Sequence, residues 1–320
     1  MNLEQLRGFA EIAHTGHFTR AADRLHLTQP SLSKQIATLE HEFGVELFHR
    51  ARGNVTLTAA GERLLPIARR MLADADSARA EMAELTGLRS GRVRLGATPT
   101  LCASLVVDVL GEFHARYPGV DIEILERGSR SLITSLMEGT LDLALIVTSV
   151  SSSAARAALE LEPLLSERLV VVSALELPDP FAARGADPVT LAQLAQTPQI
   201  AFPENYDLRV TMDTLFQAEG LSPVIAVAGA EMDAALRFAE RGLGVAVVPA
   251  MVAALHPALR VTPLAAPAPT RTISLARRGD MTPTHASAAM QHHVRAVADR
   301  LALEARSSGS VSLVEPQLEV

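Results

Sequence analysis

The stretch TRAADRLHLTQPSLSKQIATLE, residues 19–40, has the pattern of two short amphipathic helices joined by a tight polar turn. Thr28 can cap the second helix by accepting a hydrogen bond from a backbone N–H, and Pro30 falls in the first turn, where a missing N–H does no harm. Leu32, Ile36 and Leu39 recur at i, i+4 and i+7, which predicts one inward-facing apolar stripe. This is the pattern of a helix-turn-helix, whose second helix enters the DNA major groove.

The face opposite that stripe is polar near the N-terminus of the second helix, where a recognition helix meets base edges and phosphates. Gln29 has the amide that can bind adenine in bidentate fashion, and Ser33 can contact base or phosphate. Lys34 is the only lysine of the chain and suits a phosphate or groove-edge contact. The alternative is a solvated face on an ordinary three-helix unit. The candidate DNA contacts of the two helices are Thr19, Gln29, Pro30, Ser31, Ser33 and Lys34.

The residues after the second helix predict a short β-hairpin. Gly53-Asn54 is a turn signal between polar and β-branched flanks. A hairpin at this place forms a wing, which commonly lies along the minor groove, where narrow electronegative tracts attract arginine. Arg50 and Arg52 are therefore candidate DNA contacts. The alternative is that both are solvated loop arginines.

Residues 1–65 resemble the winged helix-turn-helix of LysR-type transcriptional regulators. Thr28 and Lys34 depart mildly from the family pattern, in which serine and arginine are commoner at these positions, and lysine lacks the planar fork of arginine. The resemblance implies a sequence-specific regulator that binds double-stranded DNA at a two-fold operator, with RNA polymerase as a further candidate partner. The matching positions are Leu6, Phe9, Phe18, Thr19, Arg20, Ala21, Ala22, Leu25, Gln29, Pro30, Ser31, Leu32, Ser33, Gln35, Ile36, Leu39, Glu40, Gly44, Leu47, Phe48, Arg50, Leu57, Thr58 and Gly61.

The segment from about 59 to 88 is helical in pattern throughout, and its apolar residues step by four and three alternately. Such a heptad seam predicts a coiled coil, and the family resemblance implies antiparallel pairing of two subunits through it. The alternative is that the helix packs on its own chain. Pro66 lies inside the helix and should bend it. The seam positions are Leu64, Ala68, Met71, Ala75, Ala78, Met82 and Leu85.

From residue 92 onward strands and helices alternate at a spacing that predicts a parallel α/β sheet. Glu138–Ala144 and Gly242–Pro249 look like pieces of the LysR effector domain, which resembles periplasmic solute-binding proteins: two α/β lobes joined by two crossover strands, here near 161–165 and 262–268. The predicted fold class is an α/β multidomain chain. Its expected parts are a winged helix-turn-helix at 1–58, a long linker helix at 59–89, an effector domain at 90–303 and a disordered tail at 304–320. Within the effector domain we expect lobe 1 at about 90–163 and 266–303, and lobe 2 at about 164–265.

In such lobes a ligand lies at strand C-termini and helix N-termini, where free amides favour anions and polar groups. Residues at these places are candidate effector contacts, although each can also be an ordinary cap or turn. Arg127 and Arg130 can select a carboxylate or be solvated, and we favour solvation. The expected effector is a small metabolite, in one version an anion. The candidates are Thr98, Pro99, Thr100, Gly128, Ser129, Thr148, Phe202, Pro203 and Gly229.

Charge is divided unevenly along the chain. The net charge of the 320 residues is −7, but residues 1–95 hold 13 Arg and Lys against 11 Asp and Glu, or about +2, and the remainder holds 16 against 25, or −9. The weakly basic N-terminal part predicts modest DNA affinity for one head. Tight binding then requires two or more heads on one DNA, and should depend strongly on salt. We expect a homodimer and, by resemblance to the family, a tetramer.

Cys102 is the only cysteine, which excludes an intramolecular disulfide and fits a reducing cytoplasm. A helix N-terminus lowers a thiol pKa, so a redox sensor is conceivable there, although a packed small residue is the favoured interpretation. The sequence shows neither a signal peptide nor an apolar run of membrane-spanning length, so we expect a cytoplasmic protein without membrane contact.

The chain has no zinc-ligand spacing, nucleophile motif, phosphate-binding glycine loop or supported carboxylate dyad, so we expect no metal, no cofactor and no catalytic residue. The rival function is a solute-binding or enzymatic α/β protein whose N-terminal helices serve only assembly. The effector, the operator and the choice between activation and repression are not legible in the sequence.

Overall fold

The computed structural model describes residues 1–51, 54–85, 91–147, 159–185, 187–204, 206–307 and 309–314. The helices are α1 (Leu3–Thr15), α2 (Phe18–Arg24), α3 (Gln29–Phe43), α4 (Ala59–Leu85), α5 (Pro99–Leu101), α6 (Val107–Arg116), α7 (Ser129–Met137), α8 (Leu191–Gln196), α9 (Asp207–Ala218), α10 (Met232–Glu240), α11 (Ala250–Ala254) and α12 (His285–Glu304). The strands are β1 (Phe48–Ala51), β2 (Asn54–Leu57), β3 (Gly91–Ala97), β4 (Val120–Glu126), β5 (Leu143–Val147), β6 (Leu159–Ala174), β7 (Gln199–Ala201), β8 (Ile225–Ala228), β9 (Ala246–Pro249), β10 (Leu259–Pro263), β11 (Thr270–Arg278) and β12 (Val311–Leu313).

The N-terminal head consists of α1 to α3 and the predicted hairpin, in which β1 and β2 pair antiparallel with Phe48 opposite Leu57. The ring of Phe48 packs against that of Phe9 on α1, with centroids 5.3 Å apart, so the wing is attached to the helical core. The predicted stripe of α3 is confirmed, since Leu32 and Leu39 have no exposed surface. The head is therefore a winged helix-turn-helix.

The long helix α4 completes the core of the head with its first turns. Ala68 is fully buried, and Leu64 and Met71 pack against the same apolar cluster as the residues of α1 and α3. The predicted heptad positions therefore do not all form one interface, because these three residues pack against the chain's own head. Farther along the helix, Ala78 and Met82 are exposed. The side chain of Leu85 lies outside the described residues.

Lobe 1 has the predicted parallel strands at its centre. Strand β3 lies between β4 and β5 and pairs parallel with both. The sheet is nevertheless mixed, because β11 returns from lobe 2 and pairs antiparallel with β5. Helices α6 and α12 cover it through buried residues that include Phe113 and Val294.

Lobe 2 is built around the second half of β6, with β9 and β10 paired antiparallel on its two sides. A separate parallel pair, β7 and β8, lies beside them. The two short strands position the N-termini of α9 and α10, which follow them in the chain. Both helix starts therefore lie near the lobe boundary.

The first crossover lies a few residues beyond the predicted 161–165. Leu161 and Leu165 still pair with β11 inside lobe 1, and the partner of β6 changes only between Arg168 and Leu169. The sequence does not mark this point because β6 runs through it as one continuous strand, and the proline of that strand, Pro163, lies five residues before Arg168. The second crossover, between Pro263 and Thr270, agrees with the predicted 262–268.

The prediction of a disordered tail is wrong for residues 309–314. Strand β12 pairs antiparallel with β6, placing Val311 opposite Glu167, and Val311 is 4% exposed. Three residues of a Ser-rich segment form a strand only because β6 offers them a sheet edge, which local composition cannot reveal. Residues 315–320 lie outside the described part. No helix in that described part is both long and apolar enough to cross a membrane.

Candidate functional site

The N-terminus of α3 has the geometry that the sequence predicts for a recognition helix. Thr28 is the N-cap, and its side chain accepts a hydrogen bond from the backbone N–H of Ser31 at 3.4 Å. Gln29 and Lys34 are exposed, and Ser33 is half-buried. The polar side chains thus extend from a capped helix whose apolar stripe is fixed in the core. Thr19, Pro30 and Ser31 are exposed on the same head.

Arg50 already has two partners within the head. Its Nη2 donates to Glu40 Oε2 at 2.8 Å, and its guanidinium lies over the Phe18 ring, 5.2 Å from the centroid. Glu40 Oε1 also accepts from the backbone N–H of Leu47 at 2.9 Å. Arg50 therefore holds the wing against the recognition helix, and its predicted DNA contact has to coexist with this role. Arg52 lies outside the described residues.

A cavity of about 150 Å³ lies between the two lobes. Lobe 1 contributes the start of the helical segment after β3 and the residue before α7, while lobe 2 contributes the starts of α9 and α10. Four predicted effector contacts, Thr98, Pro99, Thr100 and Gly128, line this cavity. The other lining residues are Val147, Leu169, Tyr206, Asp207, Leu208, Thr211, Glu231, Thr270 and Arg271.

The floor of this interlobe cleft holds a buried ion pair on the two crossover strands. Arg271 at the start of β11 donates from Nε to Glu167 Oε2 on β6 at 2.8 Å, and Glu167 has no exposed surface. Arg271 Nη1 donates to Thr100 Oγ1 at 2.8 Å. The other carboxylate oxygen of Glu167 accepts from the backbone N–H of Met251 at 2.7 Å. The pair therefore joins lobe 1, lobe 2 and both crossovers.

Two polar atoms of the cleft are buried without a hydrogen-bond partner among the described residues. They are Arg271 Nη2 and the hydroxyl oxygen of Tyr206. Arg271 as a whole is only 6% exposed. A buried donor without a partner costs free energy, which a ligand that accepts from it can recover.

The remaining predicted effector contacts lie elsewhere. Ser129 is just behind the cleft, where it donates to Asp207 Oδ2 at 3.1 Å and accepts from the backbone N–H of Val147 at 3.0 Å. Phe202 is buried and stacks on Tyr206, with centroids 5.3 Å apart. Pro203 and Gly229 do not line the cavity; Gly229 adopts φ 81° and donates from its backbone N–H to Ala201 at 3.0 Å. Thr148 lies outside the described residues.

Sequence reasoning missed the charged residues of the cleft. Other charged residues also occur in β6 and β11, so Glu167 and Arg271 do not stand out in the sequence, and their pairing requires the antiparallel register of the two strands. Asp207 and Glu231 stand at helix starts that the periodicity did locate. Arg127 and Arg130 are exposed, as favoured from the sequence, and do not line the cavity.

Cys102 does not have the lowered pKa that its position near a helix start suggested. Burial, together with the negative charge of Glu126, raises the pKa of its thiol to about 11. Residues 102–106 form a π-helical turn, so the helix that Thr98 begins is locally widened at this cysteine. The thiol is therefore held protonated near neutral pH.

We expect alkylation of Cys102 by iodoacetamide to be slow at pH 7 and to rise about tenfold per pH unit up to at least pH 10, because only the thiolate reacts. A thiol with the ordinary pKa of 9.0 levels off above that pH. Mass spectrometry of the intact chain, timed against a Cys-containing peptide, measures both rates. A rate that already levels off near pH 7 would contradict this assignment.

Comparison with known proteins agrees with both parts of the chain. Residues 3–62 match the model of the bacterial regulatory helix-turn-helix protein, lysR family, and residues 86–299 match the LysR substrate binding domain. The HTH-type transcriptional regulator IlvR of Caulobacter vibrioides is 32% identical, over 89% of this chain and 95% of that protein. A probable hydrogen peroxide-inducible genes activator of Streptomyces viridosporus is 31% identical, over 87% and 88%.

A solved structure shares the whole architecture. A full-length OxyR variant from Pseudomonas aeruginosa superposes with a TM-score of 0.70 at 26% identity, covering 95% of each chain. Among the described residues, no group of three or more His, Cys, Asp or Glu side chains is placed to hold a metal ion. The rival interpretation as an enzyme or a simple solute-binding protein is not favoured, because the head and the effector domain match one family of regulators. The chain belongs to the LysR family and is a DNA-binding transcriptional regulator with a small-molecule effector domain, not an enzyme.

Proposed function

We propose that the cleft between the lobes is the effector site and that its occupation changes how two heads are presented to an operator. The observation that carries this proposal is the lining itself, since Thr98, Thr100 and Gly128 come from lobe 1, and Asp207 and Glu231 come from lobe 2. A ligand that touches both lobes favours the relative position of the two lobes in which it makes more contacts. It can change DNA binding only through such unequal affinity.

Strand β11 and helix α4 provide a physical connection from the cleft to the head. Arg271 lies near one end of β11 and Arg278 at the other, where Nη1 of Arg278 donates to Asp74 on α4 at 2.8 Å. Arg69 on α4 also pairs with Glu138 of lobe 1 at 2.7 Å. Movement of lobe 1 relative to lobe 2 is therefore passed to the helix that completes the head.

We further propose that the protein works as a homodimer, and in the fuller assembly as a tetramer, in the cytoplasm where bacterial DNA lies. Ala78 and Met82 on the far half of α4 offer an exposed surface for a second copy, since the near half is used by the head. In this proposal the recognition helix and its neighbours contact operator DNA through Thr19, Gln29, Pro30, Ser31, Ser33 and Lys34. The wing arginines Arg50 and Arg52 lie along the minor groove. RNA polymerase is the proposed further partner of the bound assembly.

A cleft-filling variant tests the effector site. Gly128→Leu adds a four-carbon side chain to a cavity of about 150 Å³, and the added Cβ meets no atom within 4 Å. Because φ at Gly128 is −65°, leucine is accommodated without strain. We expect the variant to bind operator DNA as the parent does but to lose its response to effector.

The operator is first selected from a random duplex pool, and affinity is then measured with and without a low-molecular-mass extract of bacterial cells. Gly111→Leu is the matched control, because Gly111 is exposed on α6 and its Cβ would also meet nothing within 4 Å. A response that survives in Gly128→Leu contradicts the cleft as effector site. If neither the parent nor the control binds any selected duplex, the role of the head fails as well.

A further inference from the structure

The charges that line the cleft are not those of a simple anion site. Its cation, Arg271, is already balanced by the buried carboxylate of Glu167. Asp207 and Glu231 add two carboxylates at the lobe 2 side, and neither has an ion-pair partner among the side chains described. The cleft therefore has a surplus of negative charge and one buried guanidinium nitrogen still able to donate.

We infer that the effector is a small zwitterion of the amino-acid class, whose carboxylate accepts from Arg271 Nη2 and whose ammonium faces Glu231 and Asp207. This inference rests on the proposed function of the cleft and names the class of its ligand. The sequence had suggested an anion as one version. We favour the zwitterion over the anion, because a ligand with only negative charge would face the carboxylates of Asp207 and Glu231.

Tyr206 reports the sign of the electrostatic potential in the cleft. The pKa of its hydroxyl is raised to about 12 by burial together with the negative charges of Glu231, Glu126 and Asp207, whereas Arg271 acts to lower it. The carboxylates thus outweigh the guanidinium at the position of this ring. A ligand ammonium is attracted to such a place, and a second anion is repelled.

The end of the cleft proposed to hold the ligand's carboxylate is formed by two threonines and Arg271. Thr98 and Thr100 are buried, and their hydroxyls lie 3.3 Å apart at the start of a helical segment. Together with Arg271 Nη2, these two hydroxyls place three hydrogen-bonding groups at one end of the cleft, where a ligand carboxylate can reach them. Charge-assisted hydrogen bonds of this kind are among the strong ones in proteins.

The rest of the wall limits the ligand's side chain. Val147, Leu169 and Leu208 are apolar and buried, and the free space is about 150 Å³. This volume accommodates a short aliphatic side chain beside the two charged groups. We therefore expect glycine, alanine, valine or leucine to be better probes than aromatic or basic amino acids.

The test is calorimetric titration of the full-length protein with L-alanine, L-valine and L-leucine, each matched to the 2-hydroxy acid and the amide of the same skeleton. The 2-hydroxy acid lacks the ammonium, and the amide lacks the carboxylate. We expect at least one amino acid to bind and both of its analogues to bind about 10- to 100-fold more weakly, because each loses one charge-assisted hydrogen bond.

The variant Glu231→Gln tests whether the ligand's ammonium group faces Glu231. Glu231 is exposed and its side chain makes no capping hydrogen bond in α10, so the isosteric amide leaves the fold intact. We expect amino-acid affinity to fall about tenfold or more in this variant, while affinity for the 2-hydroxy acid is unchanged or rises. Asp233→Asn is the matched control, since Asp233 is exposed on the same helix but does not line the cavity.

The outcomes separate this inference from the function on which it rests. A 2-hydroxy acid that binds as tightly as its amino acid would contradict the zwitterion class, but not the cleft as effector site. The same conclusion follows if no amino acid binds while the cell extract still changes DNA affinity. If binding of every probe persists in Gly128→Leu, the cleft itself is wrong.

Discussion

Replacing Arg271 by methionine is expected to lower the free energy of unfolding of the effector domain by about 3–5 kcal/mol. The reason is that Glu167, which has no exposed surface, would keep a buried charge without its partner. Among the described residues, the backbone N–H of Met251 is the donor that would remain to that carboxylate. Urea denaturation of the full-length variant, followed by circular dichroism, measures the loss, with the effector-domain transition fitted separately from that of the head.

The double variant Arg271→Met with Glu167→Met shows whether the loss comes from the unpaired charge. A buried ion pair replaced as a whole by apolar residues is often neutral in stability, so we expect the double variant to recover most of it. Arg295→Met is the control on an exposed pair, in which Arg295 lies 2.6 Å from Glu162, and it should cost less than about 1 kcal/mol. A single variant as stable as the parent would contradict the assigned role of the pair.

Removing the polar side chains of Gln29 and Ser33 at the start of the recognition helix is expected to reduce sequence preference strongly. In Gln29→Ala with Ser33→Ala, a bidentate base contact worth about 1–3 kcal/mol is lost, so the ratio of operator to random-duplex affinity should fall by about 5- to 150-fold. Affinity for random duplex should change little, because phosphate contacts supply that term. Fluorescence anisotropy with selected operator and shuffled duplex, at one fixed salt concentration, measures both affinities.

Thr38→Ala is the matched control for this pair of changes. Thr38 is exposed on the same helix, more than a turn beyond Lys34, and its hydroxyl donates only to the carbonyl of Lys34, at 2.9 Å. All substituted positions accept alanine without loss of helix propensity. Equal discrimination by the double variant and the parent would show that Gln29 and Ser33 do not read bases.

The head is the part that sequence reasoning predicted most completely. Its signals are local: the cap at Thr28, the spacing of Leu32, Ile36 and Leu39, and the glycine and asparagine of the wing turn. All of these act over eight residues or fewer, so the local sequence specifies them. What the local pattern could not show is that Arg50 is paired with Glu40 at 2.8 Å, because the wing and helix are separate elements.

The linker helix shows that a correct periodicity does not by itself identify the surface against which each position packs. The heptad positions predict that an apolar face is buried, but they do not say against what. In the structure Leu64, Ala68 and Met71 are used by the head, and only the farther positions remain for another chain. Burial is non-directional, so the partner of an apolar stripe is decided by whichever surface the fold brings to it.

In the effector domain the sequence located strands, helices and the four cavity-lining residues at the lobe 1 helix starts, because these follow from chain order. The charged floor of the cleft depended on the tertiary structure. Glu167 and Arg271 are 104 residues apart and meet only when the two crossover strands align in register. Val311 lies opposite Glu167 only because β6 has a free edge with which β12 can pair. Patterns within one element determine that element, whereas the pairing of distant charges depends on sheet register, which the whole fold sets.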